Sequence, residues 1–438
     1  MKFSFSASIT RLTLALLVSI SLLTVAGRAT RLTGAAFVCA GWPLCIPDSP
    51  IGWLKVVHIL LVGISSMLMI WLFLKAWREQ RYDRLLLPLI TVTTILFFGQ
   101  AFIGSMQVTQ NFPLHLVILH TFTAISLWVA LVALVLATGF LAKEGGKVER
   151  IGTRERLKDF WTLSKPIIVL LLLVTTFGGL VFGLQGWPSA SLLGWTMLGG
   201  ALAAAGSSAL NQYIDRDLDK NMQRTSKRPI AAGRMTAAEG LSFGLGLCLV
   251  SYYVMAGFVN FLAALLSLAG IFYYVIFYSI WLKKKTVQNI VIGGGAGAIP
   301  PMVGWAAATG ELGWSAWILF LIVFMWTPPH FWALAIVRRK DYANAGVPML
   351  PVVRGEREAR KQILIYTVAL VGVTLLLPLI NATGRVYLIF AILLGLWLIY
   401  AAWKVWKVPG NKVAWKMYRY SSMYLAFIFL ALMIDALV

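Results

Sequence analysis

The chain has 438 residues, of which 60% are hydrophobic and 12% are charged, and its mean hydropathy is +0.82. Soluble domains carry about 25% charged residues, so this composition excludes a soluble protein. Apolar stretches of about 20 residues, each long enough to cross a bilayer, recur along the whole chain. The sequence therefore predicts an all-α, polytopic membrane protein with about 13 spanning helices.

The net charge of +22 would suggest nucleic-acid binding in a soluble protein. In a membrane protein, Lys and Arg instead mark the cytoplasmic loops. With the N-terminus in the cytoplasm, only four of the 38 Lys and Arg residues fall on the outer side: Arg28, Arg31, Lys55 and Arg385. We therefore expect a multi-pass plasma-membrane protein surrounded by lipids, with an outer C-terminus and no nucleic-acid partner.

A polar segment of mixed charge at residues 143–158 separates two blocks of predicted spans. Its glycines and charges are typical of a cytoplasmic linker. We predict a four-span membrane domain at 1–142 and a nine-span membrane domain at 159–438. Basic residues precede the first apolar span, as they precede the apolar region of a signal peptide. We nevertheless expect the first span to be retained as a helix.

The most informative polar segment ends the predicted span 191–213. Asn211, Asp215 and Asp219 are four residues apart, so on a helix they share one face. Acidic groups at the end of a membrane helix are costly unless they bind a ligand, and carboxylates suit Mg²⁺, which usually bridges to phosphates. The cations that follow would hold the same phosphates: Arg224, Lys227 and Arg228. The pattern predicts a membrane enzyme acting on a lipid diphosphate, and a solvated helix end is the alternative.

A second charged cytoplasmic loop follows another predicted span. Pro328 and Pro329 are expected to kink that helix just before His330. Asp341 follows three cations and would supply a further Mg²⁺ carboxylate. A salt bridge within the loop is the alternative for Asp341.

The second block resembles the UbiA-type intramembrane prenyltransferases over about residues 158–438. The resemblance rests on the runs NQYIDRDLDKNMQRTSKRPI from Asn211, GGGAGAIPPMVGW from Gly293, TPPHFWALA from Thr327 and RRKDYANAGVPMLPVV from Arg338. Members that prenylate quinone rings usually carry a richer second acidic motif. Here Asp341 stands alone, which favours the branch that farnesylates heme.

This resemblance implies that heme B, farnesyl diphosphate and water give heme O and diphosphate, with Mg²⁺ as cofactor. Asp215, Asp219 and Asp341 would hold the metal, and Asn211 would complete the catalytic set. The second-tier candidates for diphosphate binding are Lys283, Lys284 and Asn289, although a topological role accounts equally well for the two lysines. His330 would contact the heme iron or a propionate, or else satisfy backbone groups freed by the kink.

The other histidines all lie in the first block. His58 falls in the second span and His120 in the fourth, and two helices of a four-helix bundle can offer facing imidazoles to one heme iron. His115 and His120 point about 140° apart, so at most one of them joins His58. We choose His120, because it lies deeper in its span, whereas His115 lies near the outer interface. The block resembles one half of heme A synthase through GRATRLTGA from Gly27 and GQAFIGSMQVT from Gly99.

That resemblance implies a heme bound by His58 and His120, and its alternative is that both merely pack inside the bundle. Lys55 and Ile59 depart from the pattern of that family, and the second half of heme A synthase is missing. Complete conversion of heme O to heme A by this block is therefore doubtful.

Cys39 and Cys45 fall in the first outer loop. Outside the cytoplasm such a pair can form a disulfide or exchange with redox partners. A metal site is less favoured, because no further Cys or His accompanies them.

The leading hypothesis is a heme-farnesylating enzyme that serves terminal oxidase assembly, with a heme A synthase or oxidase assembly factors as partners. Two rivals remain open at this point. The first is a prenyltransferase of a quinone precursor, and the second is a non-enzymatic transporter of heme or isoprenoid.

Overall fold

The computed structural model describes residues 7–35, 49–110, 112–140 and 152–438. Within these ranges the regular elements are helices, and no strand occurs. Twelve helices of the described part of the chain are long and apolar enough to cross a membrane. The prediction of an all-α, polytopic membrane protein is confirmed. Cys39, Cys45 and most of the predicted linker lie outside the described residues.

The chain divides into two compact units. The first comprises Met1–Gly152 and Thr236–Leu249, and the second comprises Thr153–Met235 and Val250–Val438. The first unit thus takes in a short segment that the sequence analysis assigned to the second domain. The predicted limits at 142 and 159 stay a prediction.

Four consecutive helices form a bundle in the first unit: α1 (Ala7–Leu32), α2 (Trp53–Glu79), α3 (Leu86–Thr109) and α4 (Leu114–Phe140). Each packs against the next along the chain, and α1 packs against α4, which closes the bundle. Short connections join α2 to α3 and α3 to α4, so these neighbours run antiparallel. The Asp83 carboxylate accepts hydrogen bonds from the backbone N–H groups of Leu85 and Leu86, at 2.8 and 2.9 Å, and so starts α3.

The remaining helices, with one π-helix among them, follow in chain order. They are α5 (Thr153–Ser164), α6 (Pro166–Leu184), α7 (Ala190–Ile214), α8 (Arg216–Lys220), α9 (Ala237–Phe258), α10 (Phe261–Phe272), the π-helix (Tyr273–Leu282), α11 (Asn289–Thr309), α12 (Trp314–Val337), α13 (Arg339–Asn344), α14 (Leu350–Val353), α15 (Gly355–Thr374), α16 (Leu376–Leu379), α17 (Arg385–Lys407) and α18 (Asn411–Leu437). The core of the second unit lies mainly between α6, α11, α12, α15, α17 and α18.

The predicted span 191–213 coincides with α7, but α7 is not among the twelve helices that are apolar enough to span a membrane. Its sequence is rich in Gly, Ala and Ser and ends in polar side chains, which lowers its hydropathy. The predicted count of 13 is therefore not confirmed. The polar end of α7 is buried, as the low exposure of Ser208, Asn211 and Gln212 shows.

The crossing of α6 and α11 brings two backbones into contact. A Cβ atom on Gly304 would lie 1.9 Å from the carbonyl oxygen of Thr176, and one on Gly179 would lie 2.1 Å from that of Pro301. Small residues permit such close approach of helices in membranes, where dispersion contacts replace the hydrophobic effect as the driving force. Glycine is therefore required at both positions.

Replacing Gly304 by alanine is expected to push α6 and α11 apart, because the added methyl group meets a backbone atom that cannot move alone. We expect a loss of at least about 2 kcal/mol in the free energy of unfolding. Thermal unfolding of the detergent-solubilised protein measures it. Gly297→Ala is the matched control in α11, since a Cβ there meets nothing within 4 Å. Equal midpoints for the two variants would contradict this account.

Candidate active site

Asn211, Asp215 and Asp219 lie on successive turns where α7 meets α8. The helix breaks at Asp215, yet the backbone N–H of Asp215 donates to the carbonyl of Asn211, and that of Asp219 to Asp215, each at 2.8 Å. These bonds keep the three side chains on one face. Both carboxylate residues are only 2% exposed, so their charges need compensation from within the protein.

Each of these carboxylates has a cationic partner outside its own helix. The ammonium group of Lys283 pairs with Asp215, which also accepts a hydrogen bond of 2.8 Å from Nδ2 of Asn211. The guanidinium group of Arg228 pairs with Asp219 at 2.7 Å. Two buried ion pairs therefore form the centre of the site.

The π-helix places several side chains beside Asn211 and Asp215. Its wider turn is seen in the 2.9 Å bond from the backbone N–H of Lys283 to the carbonyl of Tyr278, five residues earlier. The hydroxyl of Ser279 donates to the Tyr274 carbonyl at 2.9 Å and accepts from Nδ2 of Asn211 at 3.1 Å. This geometry lets one helix contribute both Ser279 and Lys283 to the site.

Two tyrosines of the π-helix border the buried ion pairs. The rings of Tyr274 and Tyr278 stack with centroids 5.7 Å apart and an interplanar angle of 18°. Both rings lie within electrostatic range of Asp215 and Arg224. The sequence analysis missed them, since aromatic residues in an apolar span carry no signal that separates a site from a core.

The other predicted diphosphate ligands differ in position. Arg224, Lys227 and Lys284 have exposed side chains. Asn289 is 1% exposed, and its Nδ2 donates to the carbonyl of Lys283 at 3.1 Å. In this orientation Asn289 supports the turn that carries Lys283, and diphosphate binding by Asn289 stays a prediction.

Asp341 is half-buried near the start of α13. The described residues contain no group of three or more His, Cys, Asp or Glu side chains placed to hold a metal, so Asp341 is not gathered with Asp215 and Asp219 here. Its role as a metal ligand stays a prediction. The neighbouring Tyr342 is buried, which raises the pKa of its phenol, and it lies within electrostatic range of Arg224.

His330 is buried between α12 and α18. Its ring lies 4.3 Å from that of Trp326 and 4.4 Å from that of Tyr418, measured between centroids. Its Nδ1 atom shares a hydrogen bond of 2.8 Å with the hydroxyl of Ser421. These contacts tie α12 to α18 and occupy one ring nitrogen, whereas a contact with heme stays a prediction.

Lys165 is a site residue that sequence reasoning missed. It lies between α5 and α6, and its ammonium group donates to the side-chain oxygen of Asn211 at 3.1 Å. In the sequence it is one more cytoplasmic lysine at the start of a span. Only its place directly before Pro166 sets it apart.

Comparisons with known proteins agree with this fold. The model of the UbiA prenyltransferase family matches residues 172–430. A protoheme IX farnesyltransferase of Roseiflexus castenholzii is 41% identical over 433 residues, covering 94% of this chain and 81% of that protein. Another, from Gloeobacter violaceus, is 51% identical over 282 residues, covering 64% of this chain and 92% of that protein.

A solved structure of digeranylgeranylglyceryl phosphate synthase superposes with a TM-score of 0.56 at 18% identity, covering 64% of this chain and 99% of the solved one. At this identity the likeness supports the fold alone. The family to which the chain belongs is shown instead by the family match and by the extent of the sequence similarity. The chain is a prenyltransferase that belongs to the UbiA family and, within it, to the protoheme IX farnesyltransferases.

Proposed function

We propose that this protein converts heme B to heme O. The farnesyl group of farnesyl diphosphate is transferred to a vinyl group of heme B, water adds to give a hydroxyethylfarnesyl side chain, and diphosphate leaves. The observation that carries the proposal is the buried set of Asn211, Asp215 and Asp219 with its cations. The relatives named protoheme IX farnesyltransferase indicate the acceptor and the donor.

The buried carboxylates fit a magnesium ion. Asp215 and Asp219 present oxygen atoms on successive turns, and among the described residues each forms one ion pair, Asp215 with Lys283 and Asp219 with Arg228. Carboxylate oxygens are the ligands that Mg²⁺ prefers, and the ion commonly shares them with substrate phosphates. Bound there, Mg²⁺ would supply Lewis-acid stabilisation of the charge on the departing diphosphate.

The residues of the chain supply the rest of the catalytic environment. Lys283 and Arg228 place positive charge where the leaving group gains negative charge. Asn211 holds the Asp215 carboxylate in position through its 2.8 Å hydrogen bond. The stacked rings of Tyr274 and Tyr278 present π-electrons beside the site, which stabilise an allylic cation.

We place the site at the cytoplasmic face of the plasma membrane, with the N-terminus in the cytoplasm and the C-terminus outside. The distribution of Lys and Arg supports this orientation, because only four of the 38 fall on the other side. Heme O made there would pass to a heme A synthase or to assembly factors of a terminal oxidase.

Expression of the full chain in a host that makes only heme B tests the proposal directly. We expect heme O among the extracted hemes, identified by chromatography and mass. Asp215→Asn is expected to abolish it, because the variant removes one charged oxygen ligand and leaves Lys283 without its partner. Heme binding by the variant is the control that separates loss of catalysis from loss of the protein.

If a well-expressed protein supplied with farnesyl diphosphate yields heme B alone, the proposal is wrong. Prenylation of an added aromatic acid would then identify the quinone-precursor activity instead. Heme O formation that persists in Asp215→Asn would show that the carboxylate is not part of the catalytic centre.

Two adjacent lysines provide a sharper test of the site. Lys283→Met is expected to lower farnesyl transfer at least about a hundredfold, because the lysine reaches the buried Asp215 and its loss leaves a carboxylate unpaired. Lys284→Met removes the same charge from an exposed side chain and should change the rate by less than about threefold. Steady-state rates with both substrates check this, and equal losses would contradict the assignment.

We also propose that the first unit binds a heme of its own. His58 on α2 and His120 on α4 belong to one four-helix bundle, and the Nδ1 atom of each is buried. Neither Nδ1 atom has a well-aligned hydrogen bond to a described residue, although the backbone of Leu23 lies near the ring of His58 and that of Gln100 near the ring of His120. Gly27 of α1 and Gly104 of α3 make room for the two rings, since a Cβ would lie 2.8 Å and 3.2 Å from them. Two such imidazoles fit the axial positions of a heme iron.

The lengths of the matches support treating this bundle as a separate domain at about residues 1–142. The Roseiflexus protein matches 94% of the chain and therefore most of the first unit, whereas the Gloeobacter protein matches 64% with nearly its whole length. Some relatives thus pair the prenyltransferase with an N-terminal part, and others match without it.

The purified full chain is expected to show the electron paramagnetic resonance signal of a low-spin heme with two imidazole ligands. His58→Ala and His120→Ala should each abolish the signal, because either change removes one axial ligand. His115→Ala alters an exposed histidine of the same helix as His120 and should leave the signal intact. A signal that survives both substitutions would rule out this heme site.

A further inference from the structure

Positive charge exceeds negative charge in the buried polar cluster. Asp215 pairs with Lys283, and Asp219 pairs with Arg228, so each carboxylate already has its own cation. Lys165 is a third cation within electrostatic range of all four groups. Among the described residues Lys165 forms no ion pair. The cluster therefore contains one more cation than anions, and a bound anion would balance the charge.

The surroundings of Lys165 oppose its positive charge. Burial, together with Arg228 and Lys283, lowers the pKa of the Lys165 ammonium group to about 7, against the opposite effect of Asp215 and Asp219. The residue as a whole is only half-buried. An anion that reaches the accessible part would relieve the electrostatic cost.

The backbone at Lys165 is strained, and its side chain contacts Asn211 of the site. Its φ of 49° and ψ of 61° are left-handed, and Pro166 follows directly, although a residue before proline prefers extended backbone. Strained residues of this kind concentrate at functional sites. The carbonyl of the nearby Leu163 accepts hydrogen bonds from Ser208 at 3.1 Å and Gln212 at 2.7 Å, which fastens this turn to α7.

The only hydrogen bond of the ammonium group to a described residue is the one to the neutral side-chain oxygen of Asn211. A lysine ammonium has three donors, so two remain for a ligand. Asn211 also donates to Asp215 and Ser279, and it therefore holds Lys165 next to the carboxylates.

We propose that Lys165 binds the diphosphate of the substrate directly, as a third cation beside Lys283 and Arg228. Its ammonium group donates to a terminal phosphate oxygen and supplies the positive charge that the two ion pairs leave uncommitted. The inference rests on the proposed function only in that the substrate carries a diphosphate.

Binding of inorganic diphosphate in the presence of Mg²⁺ tests the role without any catalytic turnover. Isothermal titration calorimetry on the full chain in detergent gives the dissociation constant. Lys165→Gln keeps a partner for Asn211 but removes the charge, and we expect about tenfold to a hundredfold weaker binding. Lys165→Arg keeps the charge and should recover part of the affinity.

Lys220→Met is the matched control, because it removes one positive charge from the same cytoplasmic region. Lys220 is exposed and pairs with Asp217 at 3.3 Å, outside the buried cluster. The affinity of the Lys220→Met variant for diphosphate should stay within about twofold of that of the unmodified protein. Unchanged affinity in Lys165→Gln, or an equal loss in Lys220→Met, would overturn the proposal. If Lys165→Gln fails to fold, Lys165→Met serves in its place.

A double-mutant cycle separates direct binding from positioning. If Lys165 acted only by holding Asn211, Lys165→Gln would have no further effect on diphosphate affinity in an Asn211→Ala background. We expect the affinity to fall again in that background, and the absence of a further fall would refute direct binding. The assay is independent of heme, so a failure to make heme O would leave this result intact.

Discussion

Two carboxylates buried where α7 meets α8 determine how the rest of the active site is built. An unpaired buried carboxylate costs several kcal/mol, so Asp215 and Asp219 require positive charge from within the fold. That charge comes from Lys283, which directly follows the π-helix and lies far from Asp215 in the sequence, and from Arg228 in the loop just beyond α8. The packing of these elements is therefore tied to the electrostatics of the site.

The elements that supply the cations depart from ideal geometry. The π-helix opens its turn so that Ser279 and Lys283 both reach α7, and the chain before Pro166 takes a left-handed conformation at Lys165. Neither feature stabilises the fold by itself. The conformational strain of both features is offset by the buried hydrogen bonds and ion pairs that they make possible. Strain, burial and charge are in this way parts of one arrangement.

Much of this arrangement follows from the sequence, and the remainder has physical reasons for escaping it. The spacing of Asn211, Asp215 and Asp219 was sufficient to place them on one face, because hydrogen bonds carry the helical register through the break at Asp215. The π-helix was not predictable, since the periodicity of an all-apolar span does not distinguish 3.6 residues per turn from a wider turn. In the sequence, Lys165 resembles any lysine that fixes membrane topology. Only its contact with Asn211 in the fold distinguishes it.

The contact of α6 with α11 also bears on how a lipid substrate enters the enzyme. At Gly179 and Gly304 the two helices meet backbone to backbone, and even a methyl group has no room between them. An isoprenoid chain is wider than a methyl group, so it cannot pass between the two helices at these positions. The contact of α6 with α11 is therefore closed to lateral diffusion from the bilayer. A prenyl donor that enters from the membrane has to pass between a different pair of helices.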